Sequence, residues 1–227
     1  MVMISGYKAV CFDMDGTLLN TKVDMKKMAD LVFDEMVRMG VPENEINREG
    51  GFKFNLDSGT DYLSRNGRGD DIYEINRRVS KAARDVEMEN VLMARPFPGS
   101  VRLLNHLKKE GYKVGVLTRG CREYAETALK LTGVLELLDG LVCRDDFPEC
   151  DAKPSPASMS NLAYALGLVA SDILYLGDHK FDYLCARDAG AGFIGVLSGG
   201  YDKDDWKALD RNIVTVNTVA DLLSPDE

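Results

Sequence analysis

Asp13-Met14-Asp15-Gly16-Thr17 follows directly on the apolar run Ala9-Val10-Cys11-Phe12. A short continuous apolar run reads as a fully buried strand of the kind found in parallel sheets. Two carboxylates two residues apart at the end of such a strand, closed by a glycine, are costly to place there without a use. In open α/β sheets ligands bind at the carboxyl ends of the strands, which puts a site where these acids lie. The plain alternative is an Asp-Gly hairpin turn between two strands. The rest of the chain decides between the two readings.

Downstream of Arg95-Pro96-Phe97-Pro98-Gly99, where proline blocks helix, helices and strands alternate. The pattern predicts helices over 100–110, 121–131, 156–166 and 180–189. It predicts strands over 113–117, 140–143, 173–177, 193–197 and 213–216. That alternation implies an α/β fold, a Rossmann-like doubly wound parallel sheet with helices on both faces. Residues 20 to 95 do not share it. Met28, Leu31, Val32, Met36 and Met39 recur at helical spacing, as do Ile72, Ile75, Val79, Ala82, Ala83 and Val86. Asp70 or Asp71 is the expected cap of the second of these helices. The polar stretch 43–69 between them reads as loop or short helices. The expected organisation is a catalytic core of residues 1–19 and 97–227, interrupted by a smaller all-helical domain at 20–96.

The strand ends of the core collect a particular set of side chains. Asp13 and Asp15 follow the first strand and Thr118 the second. Lys153 follows the third, inside Lys153-Pro154-Ser155-Pro156, and Asp178 and Asp182 follow the fourth. Four acids, one lysine and one hydroxyl would make a poor core and a good site for a divalent cation and a phosphoryl group. Magnesium prefers oxygen ligands. A carboxylate can attack phosphorus only where the repulsion between the two anions is neutralised, which a metal and a lysine do. A second carboxylate can protonate the leaving oxygen and then activate water. Backbone N–H groups around Gly16 and Gly120 are expected to cradle phosphate oxygens.

Composition narrows the partners. The 227 residues carry a formal net charge of −9, which argues against nucleic acid or an anionic membrane surface. No apolar run approaches the roughly 18 residues of a membrane span, and the N-terminus lacks the pattern of a secretory signal. Cys11, Cys121, Cys143, Cys150 and Cys185 are widely spaced and read as reduced thiols of a cytoplasmic protein. His106 and His179 are isolated, so no zinc site is expected. A literal G-x-G-x-x-G at Gly190–Gly195 runs from helix into strand, the reverse of the dinucleotide fingerprint.

In Asp13-Met14-Asp15-Gly16-Thr17-Leu18-Leu19, Thr118, Lys153-Pro154 and Gly177-Asp178 with Asp182, the chain resembles the haloacid dehalogenase superfamily, matching its four motifs in order. Ala186–Val196 is similar to the family as well. The resemblance covers the core and weakens over residues 20–95. It implies a hydrolase of the phosphatase kind, with Asp13 as nucleophile and Asp15 as general acid/base. Thr118 would bind phosphoryl oxygens, with Arg119 contributing its backbone N–H, and Lys153 would neutralise charge. Mg²⁺ would be held by Asp13, Asp178 and the Asp15 carbonyl, with Asp182 in support or as a ligand through water.

Dehalogenases of the superfamily lack the second acid of the first motif, and its phosphonatases carry a small residue there; Asp15 is present. The 105 residues from Asp13 to Thr118, against 35 from Thr118 to Lys153, place the family's mobile cap as an early, C1-type insertion. The implied substrate is a small phosphorylated metabolite, in the manner of phosphoglycolate phosphatase-like members. Two alternatives stay open: a sugar phosphomutase of the β-phosphoglucomutase kind, and a phosphoacceptor or regulatory binding protein. Within the insertion Lys53, Arg65 and Arg68 lie in the irregular stretch and are the candidates to meet an anionic substrate, against the default of a solvated charged face. Neither the substrate nor the oligomeric state is legible.

Overall fold

The computed structural model describes residues 4–223. In chain order the elements are β1 (Ala9–Phe12), β2 (Leu19–Asn20), α1 (Met25–Arg38), α2 (Gly51–Arg65), α3 (Gly69–Glu89), β3 (Arg95–Pro96), α4 (Ser100–Lys109), β4 (Lys113–Leu117) and α5 (Arg122–Leu131). They continue with β5 (Gly140–Val142), α6 (Pro156–Ala165), β6 (Ile173–Gly177), α7 (Lys180–Ala189), β7 (Gly192–Val196), α8 (Lys203–Leu209) and β8 (Thr215–Val216). The chain divides into two compact units, one formed by everything up to Thr21 and from Leu92 on, the other by Lys22–Val91. Among the described residues no helix is long and apolar enough to cross a membrane.

The first unit is built on a six-stranded parallel sheet in the order β5-β4-β1-β6-β7-β8. Counted along the core alone this is 3-2-1-4-5-6, the doubly wound arrangement whose strand order reverses beside the first strand. β1 is therefore central, and all four of its residues are fully buried. The packing is close: a Cβ on Gly115 would lie 3.0 Å from the sulfur of Cys11, its register partner on the neighbouring strand. None of the five cysteines forms a disulfide among the described residues, and of the five Cys150 alone is exposed. The stretch read as a proline hinge instead contributes β3, which pairs antiparallel with β2 in a two-stranded ribbon.

Helix starts follow local chemistry. Asp202 accepts from the N–H groups of Asp204 and Asp205 at 2.8 and 2.9 Å, and Pro156 stands at the first position of α6.

The second unit is helical. α1, α2 and α3 share a core of Val32, Phe33, Met36, Leu56, Leu63, Ile75 and Val79. The 15-residue helix α2 occupies a stretch expected to be loop or short helices. Its buried face consists of Asn55, Leu56, Gly59 and Leu63, too polar and too small to register as an apolar stripe. Gly59 lets α1 approach, since a Cβ there would overlap the sulfur of Met36. Asp70 and Asp71 lie in the first turn of α3 rather than at its cap, which is Arg68. There they favour the positive end of the helix dipole.

Candidate active site

β4, β1 and β6 are neighbours, with Phe12 in register with Val116 on one side and Leu176 on the other. Their carboxyl ends therefore leave the sheet at one level, and Asp13, Thr118 and Asp178 emerge side by side. The N–H of Asp13 still donates to the Leu176 carbonyl at 2.8 Å, and that of Thr118 to the Val142 carbonyl at 3.0 Å, so each side chain is fixed by the last rung of the sheet.

Lys153 closes the group from the loop before α6. Its Nζ donates to Asp13 Oδ1 at 2.6 Å, to Asp182 Oδ1 at 2.5 Å and to the Tyr175 hydroxyl at 3.0 Å. The lysine is only 3% exposed. Burial works against its charge, but the carboxylates of Asp13 and Asp182 outweigh it and hold the ammonium above its ordinary pKa. Tyr175 in turn donates to the Leu117 carbonyl at 2.8 Å and lies 3.1 Å from Asp182 Oδ1. The other oxygen of Asp182 accepts from the His179 N–H at 3.1 Å, at the start of α7. Asp182 thus orients the lysine with one oxygen and caps the helix with the other.

Asp15 and Asp178 are held differently. Asp15 is half-buried, and its Oδ1 accepts two hydroxyls, Thr21 and Tyr124, each at 2.6 Å. Burial raises its carboxyl, and these two donors oppose the rise. Asp178 accepts from Thr17 at 3.2 Å and from the Gly200 N–H at 2.7 Å. Burial and then the charge of Asp182 push it up to about 6. Asp13 is raised well above the carboxylate range, burial being the main cause; Lys153 opposes the rise, and Asp182, Asp178 and Asp15 add to it.

Asp13, Asp178 and Asp182 each offer an oxygen, and these oxygens lie within 4.8 Å of one another. Lys153 bonds two of these three buried carboxylates, and among the described residues no histidine or cysteine joins them. An all-oxygen, electron-rich donor set of this kind fits a hard divalent cation. Gly16 (φ +80°) keeps the place open, because a Cβ there would sit 2.5 Å from Asp178 Oδ2. Asp13 has a stronger claim on a cation than Asp182, since Lys153 and the His179 N–H take the two oxygens of Asp182, whereas Asp13 Oδ2 makes no hydrogen bond among the described residues.

Several residues singled out in the sequence are engaged elsewhere. The N–H of Gly16 closes its own turn onto the Leu19 carbonyl at 2.9 Å, and that of Gly120 donates to Thr118 Oγ1 at 2.9 Å. By contrast, no hydrogen bond among the described residues engages the N–H of Met14 or Asp15. The Arg119 side chain turns back to the Lys153 carbonyl and to Glu149 at 2.7 Å, bracing the loop that carries the lysine. In the helical unit Lys53 pairs with Asp57 at 2.5 Å and Arg65 with Glu45 at 3.0 Å. Arg68 pairs with Asp71 at 2.6 Å and donates to the Met39 carbonyl.

Sequence reasoning missed Thr21, Tyr124, Tyr175 and Gly200. Gly200 follows β7, and a search of every strand end would have reached it. A tyrosine inside an otherwise apolar strand needs a partner for its hydroxyl, which was a signal for Tyr175.

A validoxylamine A 7'-phosphate phosphatase of Streptomyces hygroscopicus subsp. limoneus is 28% identical over 197 residues, covering 85% of this chain and 86% of the relative. A phosphoglycolate phosphatase of Neisseria gonorrhoeae is 26% identical, covering 99% of this chain and 96% of the relative. A solved structure from Bacteroides fragilis, described provisionally as a haloacid dehalogenase-like hydrolase, shares the fold with a TM-score of 0.66 at 23% identity, covering 96% of this chain and 100% of that one. The family model for haloacid dehalogenase-like hydrolases matches residues 10–196, from within β1 to the end of β7. With the sheet order and the strand-end acids, that match makes this chain a member of the haloacid dehalogenase-like hydrolase family.

Proposed function

We propose that this hydrolase is a Mg²⁺-dependent phosphomonoesterase that cleaves a small phosphorylated metabolite through an aspartyl-phosphate on Asp13. The observation that carries the reading is the buried contact of Lys153 with Asp13 at 2.6 Å. It neutralises one oxygen of Asp13 and leaves Oδ2, which makes no hydrogen bond among the described residues, to attack phosphorus. The names of the two relatives, each a phosphatase of a phosphorylated small molecule, support the same class.

In the first step the Asp13–phosphorus bond forms and the bond from phosphorus to the leaving oxygen breaks, while Asp15 gives that oxygen a proton. In the second, Asp15 takes a proton from water as the water attacks phosphorus and releases Asp13. Lys153 balances charge on Asp13 and the phosphoryl oxygens, and Thr118 and the N–H groups of Met14 and Asp15 hold those oxygens. Mg²⁺, held by Asp13, Asp178 and the Asp15 carbonyl, would supply the remaining positive charge that lets two anions meet. Asp182 keeps Lys153 in place. Residues 20–96 act in this reading as a C1-type cap, with Lys53, Arg65 and Arg68 as its cationic side chains toward the substrate.

The test is phosphate release from a panel of phosphate monoesters with Mg²⁺, the wild type beside Asp13→Asn. Turnover of at least one monoester, falling by roughly a thousandfold or more in the variant, is the expected result. Undiminished turnover in the variant would sink the assignment. Conversion of a sugar 1-phosphate to the 6-phosphate without phosphate release would move it to the mutases.

A further inference from the structure

Tyr124 lies in the first turn of α5 and is buried, with 1% of its surface exposed. Its ring runs beneath the loop after β4, where a Cβ on Gly120 would sit 2.8 Å from the ring carbon Cδ1. From there the hydroxyl reaches the other motif loop and donates to Asp15 Oδ1 at 2.6 Å. Thr21 donates to the same oxygen at the same distance. A carboxylate oxygen offers about two lone-pair positions, so two O–H donors fill Oδ1. Oδ2 of Asp15 makes no hydrogen bond among the described residues. A phenylalanine would occupy the volume of Tyr124 equally well, so packing accounts for the ring and leaves the hydroxyl to be explained.

We infer that Tyr124 is a positioning residue for proton transfer: together with Thr21 it saturates Oδ1 of Asp15 and presents Oδ2 to the leaving oxygen. The inference rests on the phosphomonoesterase reading. Within it, the proton given to the leaving oxygen departs from Oδ2 as the phosphorus–oxygen bond breaks, and the proton taken from water returns to Oδ2. Tyr124 keeps its own proton throughout. The carboxyl plane is set from two sides, by a residue of the first motif loop and by one of the helix that follows the second. Loss of either hydroxyl frees that plane to turn and costs proton transfer rather than substrate binding.

The experiment compares Tyr124→Phe with wild type on an alkyl phosphate and on p-nitrophenyl phosphate. An alkoxide must be protonated as it leaves, whereas p-nitrophenolate departs without help. Expected is a fall in kcat/KM of roughly tenfold or more for the alkyl ester, the scale of one hydrogen bond to a charged group, with the aryl ester changed less than about twofold and KM for both nearly constant. An equal fall for both esters, or none, overturns the inference. Should Tyr124→Phe fail to fold, Thr21→Val is expected to show the same selective loss and Thr21→Ser to restore the alkyl ester; Thr21→Val that spares it overturns the inference too. A wild type inactive toward every monoester defeats the phosphomonoesterase reading and this inference with it. An active wild type beside an indifferent Tyr124→Phe defeats the inference alone.

Discussion

In the helical unit Arg77 and Arg78 both rest on Glu74, Arg65 meets Glu45, and Arg48 meets Asp34, all on or near the surface. In the sheet unit one lysine, 3% exposed, holds two carboxylates that are themselves buried. The pairs look alike as distances, at 2.5 to 3.0 Å. They differ in what water can do for them. Exposed pairs are solvated whether made or broken and contribute little. Buried ones have given up hydration, and removing one partner strands the other. The charge of these exposed pairs keeps a surface wet, whereas the buried charge around Lys153 constrains chemistry.

The largest break in that contrast is Lys153→Met. It leaves Asp13 and Asp182 facing each other without a cation, and at neutral pH it is expected to cost about 3–5 kcal/mol in denaturant unfolding, as well as activity. Because burial already raises the Asp13 carboxyl, which can take up a proton once stranded, the loss should shrink as the pH is lowered. Arg77→Ala should leave the unfolding midpoint where it was. Equal effects from the two variants would show that burial is not what separates the regions.

A second test uses the proton at Asp178. Burial and Asp182 push this carboxyl up to about 6 from an ordinary 3.8. The folded protein thus binds that proton more tightly than the unfolded chain. Asp178 therefore contributes stability that is present below about pH 4 and is lost as the pH rises through about 6. A divalent cation competes with the same proton. Added Mg²⁺ is expected to raise the unfolding temperature at pH 7.5, with apparent affinity weakening by up to about tenfold per pH unit below 6. In Asp178→Asn both the stabilisation and its pH dependence should largely disappear. Mg²⁺ stabilisation of equal size at pH 5 and pH 7.5 would argue that the cation binds elsewhere.

The contrast also explains what could be read in advance. Asp13, Thr118 and Asp178 were legible because parallel strands end on one edge of the sheet, so position after an apolar run is already position in space; Lys153, on the loop before α6, was legible from its place beside Pro154 between the Thr118 and Asp178 corners. The alternation of helix and strand exposed the sheet for the same reason. Tyr124 was not legible, because it meets Asp15 by reaching between segments in a direction that periodicity does not encode, and Thr21 was not, because it meets Asp15 across a local turn that carries no period. Arg119 stands beside Thr118 in sequence, yet its guanidinium serves the loop of Lys153. α2 was hidden because Gly59 and Asn55 interrupt the face it buries, leaving only Leu56 and Leu63 as its buried apolar residues.

The smallest expected effects lie in the helical unit, at Lys53, Arg65 and Arg68. Each already holds a carboxylate, so binding a substrate anion means exchanging one negative partner for another. Such an exchange returns less than capture by a free cation, and Arg65→Ala is expected to raise KM by less than about fivefold, within the range of an exposed ion pair. Arg68 differs in one respect, because it also donates to the Met39 carbonyl just after α1. Arg68→Ala should therefore lower the unfolding temperature, which Arg65→Ala should leave unchanged. A hundredfold rise in KM at Arg65 with no change in unfolding temperature would break the comparison from the other side. It would mean that an exposed pair is a resting state, kept by Glu45 until the substrate takes its place.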